Sequence, residues 1–155
     1  LGFLQMGGGI VYAILYGPAL GLMALFWVGW LMLAIGVPLF LSIAIYFKKA
    51  GRPVEGKSIA DTTVLVDTGT YALVRHPQTL GAILMMSASI LISQHWLIAI
   101  LGITVSAWNY RWVVKEEKGL LVKFGDEYKD YMQRVPRMNL LIGIIRLLKR
   151  RDRRR

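Results

Sequence analysis

Two long stretches of the sequence contain no Asp, Glu, Lys or Arg. The first covers residues 1–47 and the second covers residues 76–110. Uncharged apolar stretches of about 18 or more residues are typical of membrane-spanning helices, because about 20 apolar residues are needed to cross a bilayer. This pattern predicts a protein that crosses a membrane several times.

The first stretch is too long for one span and fits two. We place them at residues 2–20 and 25–47, joined by a turn near Gly17-Pro18 and Gly21, since glycine and proline favour turns. The chain begins at Leu1 rather than Met, and we expect that a preceding segment is missing or was removed.

The second stretch predicts a hairpin of two shorter spans. Residues 78–93 and 96–113 are apolar, and Ser93-Gln94-His95 separates them. Small residues in the first of these spans, including Gly81 and Ala88, would let helices approach closely. The predicted fold is therefore all-α, a polytopic membrane helical bundle of about four transmembrane helices.

The remaining segments are polar or basic. Residues 48–75 predict a loop with a short extended piece and a turn near Gly69. Apolar residues recur at three-to-four spacing between residues 115 and 133, which predicts an amphipathic helix at the membrane surface and hence a cytoplasmic C-terminal helical cap. Residues 140–148 are apolar but too short to span, so we expect them to lie in the interface.

Three segments follow from this pattern. We expect two N-terminal transmembrane helices over residues 1–47 and a core of loop, hairpin and surface helix over residues 48–137. Residues 138–155 form the third segment, which is the interfacial stretch with its basic tail.

The charge distribution predicts the orientation. All 19 basic residues lie in the 48–75 loop or after residue 110, and the formal net charge is +10. Basic loops stay on the cytoplasmic side, so we place the loop and the C-terminus there, in a multi-pass protein. In a membrane protein this charge favours anionic lipid headgroups as partners of the tail, rather than nucleic acid.

The composition argues against a metal site and against disulfide bonds. The chain has no cysteine and two histidines, His76 and His95. The absence of cysteine excludes disulfides and thiolate ligands, and two histidines are too few for a zinc site made of histidine alone. We therefore predict no metal site.

Polar side chains converge where the predicted hairpin meets the cytoplasm. Arg75 and His76 come just before the third span, and Arg111 and Glu116-Glu117 lie at and just after the end of the fourth. A third polar cluster, from Phe124-Gly125 through Tyr128 to Pro136-Arg137, is expected on the same face. Because a hairpin returns the chain to its starting side, we expect His76 and Glu117 to lie close together. Each motif alone also has a simpler interpretation, such as a span-end arginine, a helix start at Pro77 or a solvated helix face.

A longer motif carries a family resemblance. Its first part runs from Gly69 and Tyr71 through Val74-Arg75-His76-Pro77 to Gly81. Its second part runs from Glu116-Glu117 through Phe124-Gly125 and two tyrosines to Val135-Pro136-Arg137. Across residues 47–137 this order resembles the isoprenylcysteine carboxyl methyltransferase family, whose relatives include phospholipid N-methyltransferases.

The resemblance implies a cofactor and roles for named residues. It implies S-adenosylmethionine bound by the set Tyr71, His76, Pro77, Thr79, Gly81 and Glu117. It also makes Arg75 and Arg111 candidates for holding the cofactor carboxylate or orienting the substrate, and Glu116 a further candidate contact. If the acceptor is an amine, a proton must leave, and chemistry then predicts Glu116 as the catalytic base. The family usually has tyrosine where this chain has Thr79, and glycine where it has Ala88, so stacking and packing at these positions differ.

The function predicted from the sequence is methyl transfer to a membrane-embedded, lipid-like acceptor. A prenylated cysteine carboxylate, a phospholipid amine and a small hydrophobic acid all fit, and the oligomeric state stays open. Two alternatives remain. One is a membrane reductase that binds NADPH, although no Gly-x-Gly-x-x-Gly motif is present. The other is a non-catalytic scaffold whose tail binds lipids.

Overall fold

The computed structural model describes residues 2–50 and 64–152, which are mostly helical and contain no strand. The five α-helices are α1 (Gly2–Tyr16), α2 (Met23–Ala50), α3 (Pro77–Ser93), α4 (Trp96–Arg134) and α5 (Leu140–Asp152). A short 3-10 helix covers Gly69–Ala72. The all-α prediction is thus confirmed for the part of the chain that the structure describes.

Two of these helices are long and apolar enough to cross a membrane. They are Met23–Tyr46 within α2 and Trp96–Arg134, whereas α1 and α3 are apolar but shorter. The apolar part of α4 is its first half, and the charged part begins after residue 113. A count of four transmembrane helices therefore stays a prediction.

The chain forms two compact units. Leu1–Phe40 and Thr79–Trp112 form one, which we call the bundle unit, and Leu41–Gln78 and Val113–Arg155 form the other, the polar unit. Helices α2 and α4 contribute to both, as does the chain around the start of α3. The three segments predicted from the sequence follow chain order instead, and that division stays a prediction.

Both turns of the bundle unit lie at the same end of it. Gly17 and Gly21 have positive φ angles of 77° and 65° between α1 and α2, as the turn prediction requires. The Gln94 side chain donates to Leu22 O at 2.7 Å and accepts from Leu22 N at 2.9 Å. Ala19 N also donates to Ser93 O at 2.9 Å. These bonds join the α1–α2 turn to the α3–α4 turn.

Small residues bring the helices of the bundle unit together, as the sequence predicts. A Cβ on Gly81 of α3 would collide with the backbone of Phe40 and lie 2.6 Å from Gly36 O on α2. A Cβ on Gly29 would lie 2.9 Å from Ala88 O. The backbones of α2 and α3 therefore touch at two levels, where any larger residue would force them apart.

Helix α4 extends further than the sequence predicts. The predicted surface helix over residues 115–133 is the second half of α4, because no residue between 111 and 124 breaks the helix. The interruption comes at Gly125, whose φ of 53° and ψ of −125° are not helical. Thr68 has an extended backbone before the 3-10 helix, and Gly69 has a positive φ of 61°, in agreement with the predicted turn. The predicted extended piece stays a prediction, and residues 51–63 of the predicted loop lie outside the described residues.

Candidate active site

Backbone hydrogen bonds hold the site residues of the polar unit in place. Arg75 and His76 precede α3, whose first residue is Pro77, a favoured start because proline needs no hydrogen-bond acceptor there. Arg75 N donates to Pro136 O at 3.0 Å, and His76 N donates to Arg137 O at 3.2 Å. We call these two hydrogen bonds the clasp. The clasp joins the chain before α3 to the chain after α4.

Glu117 lies at the centre of a buried ion cluster. Its Oε2 accepts from Arg137 Nη2 at 2.6 Å and from Arg137 Nε at 2.9 Å. Its Oε1 lies 3.2 Å from Arg75 Nη2 and 3.3 Å from His76 Nε2. Only 3% of Glu117 is exposed, and Arg75 and His76 are also buried. Two guanidinium groups and an imidazole therefore surround one carboxylate.

This environment keeps Glu117 ionised. Burial alone raises the pKa of a carboxylic acid, because a charge is poorly solvated inside a protein. Here the contacts with His76 and Arg137 and the charge of Arg75 outweigh burial, and they lower the pKa of Glu117 to about 2. At neutral pH the site therefore holds a fixed negative charge.

His76 lies between two carboxylates. Its Nε2 approaches Glu117, and its Nδ1 lies 3.8 Å from Glu116 Oε2. Glu116 differs from Glu117 in that 38% of its side chain is exposed. The adjacent glutamates therefore have different roles in the structure, because one is fixed in the ion cluster and the other faces the solvent side of His76.

Three tyrosines surround the cluster. Tyr131 donates its hydroxyl to Tyr71 O at 2.7 Å, and Tyr71 donates its own to Gln78 Oε1 at 3.0 Å. The Tyr128 hydroxyl is buried and has no hydrogen-bond partner among the described residues. Burial, followed by the nearby charge of Glu117, raises the pKa of Tyr128 well above its usual range, so its hydroxyl keeps its proton.

A small cavity opens among these groups. Its volume is about 50 Å³. It is lined by Leu65, Val66, Tyr71, Arg75, His76, Gln78, Glu116, Leu120, Phe124, Tyr128 and Tyr131. Seven buried side-chain polar atoms lack a well-aligned hydrogen bond among the described residues. Five of them are at this site, namely Arg75 Nε and Nη1, His76 Nε2, Glu117 Oε1 and the Tyr128 hydroxyl, and the other two are Thr70 Oγ1 and Gln5 Oε1. Buried polar atoms normally have partners, so this concentration indicates a site for a polar ligand.

The donor set suits the amino-acid end of S-adenosylmethionine. A carboxylate oxygen is present for an α-ammonium, and two free guanidinium nitrogens are present for an α-carboxylate. The cavity volume is well below the roughly 300–1,000 Å³ of typical ligand pockets. Binding of the whole cofactor therefore requires a wider site than the described residues enclose.

The structure brings together five of the nine residues predicted for the site: Tyr71, Arg75, His76, Glu116 and Glu117. Pro77 is buried beside them at the start of α3. Thr79, Gly81 and Arg111 belong to the bundle unit, where Gly81 packs against α2 and Arg111 is exposed. The predicted roles of these three residues stay predictions.

Arg137 and Tyr128 are the residues that the sequence analysis did not assign to the site. Both belong to the motif that carries the resemblance and to the third polar cluster predicted on the cytoplasmic face, but the sequence does not indicate which of its side chains contact Glu117 or the cavity. Arg137 reaches Glu117 because the chain folds back after α4, and residues 20 apart then face each other.

These features define a class: a helical protein with apolar membrane-length helices and a buried carboxylate–guanidinium–imidazole site. A family model described as phospholipid methyltransferase matches residues 24–127, which is more than half of the chain. The chain belongs to this family, which confirms the resemblance and makes it a membrane methyltransferase by family. The match includes every residue predicted for the site and ends before Arg137. Comparisons with curated proteins and with solved structures found no match.

Proposed function

We propose that this protein transfers a methyl group from S-adenosylmethionine to a lipid-like acceptor embedded in the membrane. The observation that carries the proposal is the ionised Glu117 beside two buried Arg75 nitrogens and a buried Tyr128 hydroxyl that have no hydrogen-bond partner among the described residues. Family membership supports methyl transfer to lipid-like substrates. A functional site also explains why so many buried polar atoms lack partners.

Each residue has a proposed part in holding the cofactor. Glu117 Oε1 receives the α-ammonium, and the free nitrogens of Arg75 hold the α-carboxylate. The Tyr128 hydroxyl and His76 supply further donors to the bound molecule. When bound, the cofactor supplies an electrophilic methyl group. The chain's own contribution is to fix the cofactor in place for an in-line displacement, since alignment is the main demand of this chemistry.

Glu116 is the proposed proton acceptor for an amine substrate. Methylating a protonated amine requires loss of a proton before or during transfer, and a carboxylate near the reacting group can accept it. Glu116 Oε2 lies 3.8 Å from His76 Nδ1 and its side chain is partly exposed, so it can reach both the site and solvent. A phospholipid amine, the acceptor that the family description favours, would use this group, whereas a carboxylate acceptor would not need it.

We propose a four-span arrangement with the polar unit in the cytoplasm. The two turns of the bundle unit lie together at one end, as two antiparallel hairpins require. The bundle unit contains one charged residue, Arg111, and the basic residues lie in the polar unit, which the positive-inside rule places in the cytoplasm. The basic C-terminus then meets the inner leaflet.

The first experiment is a titration of the purified full chain with S-adenosylmethionine and with its demethylated product. We expect saturable binding of both. The protein is then incubated with methyl-labelled cofactor and total membrane lipid, and the labelled lipid is identified. A folded sample that binds neither molecule would contradict the proposal.

A matched pair of variants separates the acceptor classes. Glu116→Gln removes the proposed base, and Glu127→Gln makes the same change at an exposed position of α4 away from the cavity. For an amine acceptor we expect a loss of 10²–10⁴-fold in kcat for Glu116→Gln, with cofactor binding retained. Equal activity of the two variants would exclude Glu116 as the base and favour a carboxylate acceptor.

A further inference from the structure

Helix α5 of the polar unit has two apolar sides. On its inner side, Gly143 is buried, and a Cβ there would collide with the carbonyl oxygen of Leu73. The opposite side carries Leu141, Ile144, Ile145 and Leu148, which recur at helical spacing. All four are exposed, Leu141 by 74% and Ile145 by 52%. One side of α5 is therefore seated on the protein backbone, and the other has no partner among the described residues.

The charged residues of α5 and of the sequence that follows it are mostly basic. Arg146, Lys149, Arg150 and Arg151 lie within α5 against one acidic residue, Asp152, and Arg153–Arg155 follow it. An exposed apolar stripe on a basic helix matches a membrane surface with anionic headgroups, because the stripe can enter the acyl boundary while basic residues meet phosphates. A bilayer surface offers both an apolar layer and anionic groups along the length of the helix, so we take it as the occupant, and a protein surface that covers the stripe is an outcome of the test below.

Helix α5 is also attached to both halves of the clasp. Leu73, on which Gly143 rests, precedes Arg75 by two residues, and α5 begins three residues after Arg137. Asn139 fixes the start of the helix, since its Oδ1 accepts from Ile142 N at 3.0 Å. Arg146 Nη1 donates to Gln133 O at 3.1 Å and ties α5 to the end of α4. Any force that holds α5 in place therefore also holds the two segments that make the clasp.

We propose that the outer side of α5 binds the surface of an anionic bilayer and that this binding stabilises the clasp on Arg75 and His76. The lipid surface thereby regulates the proposed methyltransferase site. Only the effect on methyl transfer rests on the proposed function, because the clasp and the lipid contact can each be measured without any cofactor.

The lipid contact is tested with single cysteines, which the cysteine-free chain allows. A polarity-sensitive dye is attached to Ile145→Cys on the outer side of α5 and, as control, to Asp130→Cys on an exposed polar position of α4. The full chain is reconstituted into phosphatidylcholine vesicles with or without phosphatidylglycerol. We expect a blue shift and quenching by lipid-bound quencher at residue 145 that increase with phosphatidylglycerol, and no such change at residue 130.

Two other outcomes would overturn the lipid contact. A dye at residue 145 that reports water in both vesicle types means that α5 does not meet the bilayer. A dye that is shielded equally in both, and also in detergent, means that a protein surface or a second copy covers the helix.

The coupling is tested by amide hydrogen exchange of residues 74–76, which include both clasp donors. We expect phosphatidylglycerol to slow exchange several-fold in the wild type. Gly143→Ala should abolish this lipid dependence because its Cβ meets the Leu73 carbonyl, whereas Gly119→Ala, whose Cβ meets nothing within 4 Å, should preserve it. A wild-type exchange rate that does not depend on lipid charge would overturn the coupling.

A second variant keeps the test decisive if Gly143→Ala fails to fold. Ile145→Glu alters only an exposed side chain, and it should remove the lipid dependence while exchange in neutral vesicles stays unchanged. Lipid dependence that survives this change would overturn the proposal. A lipid-dependent clasp in a protein that never binds S-adenosylmethionine would instead contradict the proposed function and leave this inference standing.

Discussion

The two compact units bury polar groups in opposite ways. The bundle unit contains a single charged residue, Arg111, and buries neutral groups such as Gln5 and Ser89. Gln5 Nε2 donates to Ser89 Oγ at 3.2 Å and to Ile98 O at 3.3 Å, which offsets part of the cost of its burial, whereas its Oε1 has no partner among the described residues. The polar unit buries Glu117 with two arginines and a histidine nearby.

This contrast separates structural polarity from functional polarity. A neutral hydrogen bond is enough to fix how helices align in an apolar bundle. A buried ion cluster is a poor source of stability, because desolvation of the charges often exceeds their attraction. The polar unit nevertheless keeps such a cluster, with several of its atoms unpartnered. Ligand binding accounts for this arrangement better than stability does.

The largest expected effect comes from removing the central charge. Glu117→Gln leaves Arg75 and Arg137 close together without their shared carboxylate, and we expect the free energy of unfolding to fall by about 3–5 kcal/mol. Glu127→Gln is the control, since that glutamate is exposed on the same helix. Thermal and chemical unfolding of the two purified variants measures the difference. Similar free energies of unfolding would contradict the central role of Glu117 in the ion cluster.

The acid response of the same variants gives an independent readout. The folded-state pKa of Glu117 is about 2, below the ordinary value of 4.5. A carboxylate whose pKa is depressed in the folded state stabilises that state fully above pH 4.5. This stabilisation is lost as the pH falls through about 2. We expect wild type and Glu127→Gln to lose stability across this window more steeply than Glu117→Gln. Identical acid profiles would mean that Glu117 does not titrate as the structure indicates.

A smaller effect is expected in the bundle unit. Gly81→Ala places a Cβ against the α2 backbone, and overpacking of this kind costs about 1–3 kcal/mol. Gly7→Ala on α1 is the control, because its Cβ would meet nothing within 4 Å. If Gly81 serves packing alone, the folded variant should bind S-adenosylmethionine as the wild type does. A selective loss of binding would instead support the cofactor contact implied by the family resemblance.

The helices could be predicted because they depend on local patterns. Uncharged stretches and turn glycines predict the bounds of α1 to α3 to within a few residues, and Gly17, Gly21 and Gln94 lie at the turns. The continuity of α4 was missed, since a change from apolar to charged residues looks like a boundary between helices although the backbone has no reason to stop. The break at Gly125 depends on a positive φ that the sequence allows but does not require.

The site could be predicted in part for a similar reason. The approach of His76 to Glu117 follows from the hairpin, and it was expected before the structure was known. The part of Arg137 in the cluster was not, because it depends on a chain reversal after Pro136 and on the clasp hydrogen bonds. Backbone pairing between irregular segments leaves no periodic signal in a sequence.

The smallest expected effect compares two buried tyrosines of the polar unit. Tyr131→Phe removes a hydrogen bond to Tyr71 O and leaves that carbonyl without its donor, so we expect a loss of about 0.5–1.5 kcal/mol in stability. Tyr128→Phe removes a hydroxyl that has no partner, and we expect unchanged or slightly higher stability. If the free hydroxyl of Tyr128 contacts the cofactor, this second variant should bind S-adenosylmethionine more weakly although it folds as well as the wild type. Equal destabilisation of both variants, measured by thermal unfolding, would mean that the Tyr128 hydroxyl is already satisfied and is not kept for a ligand.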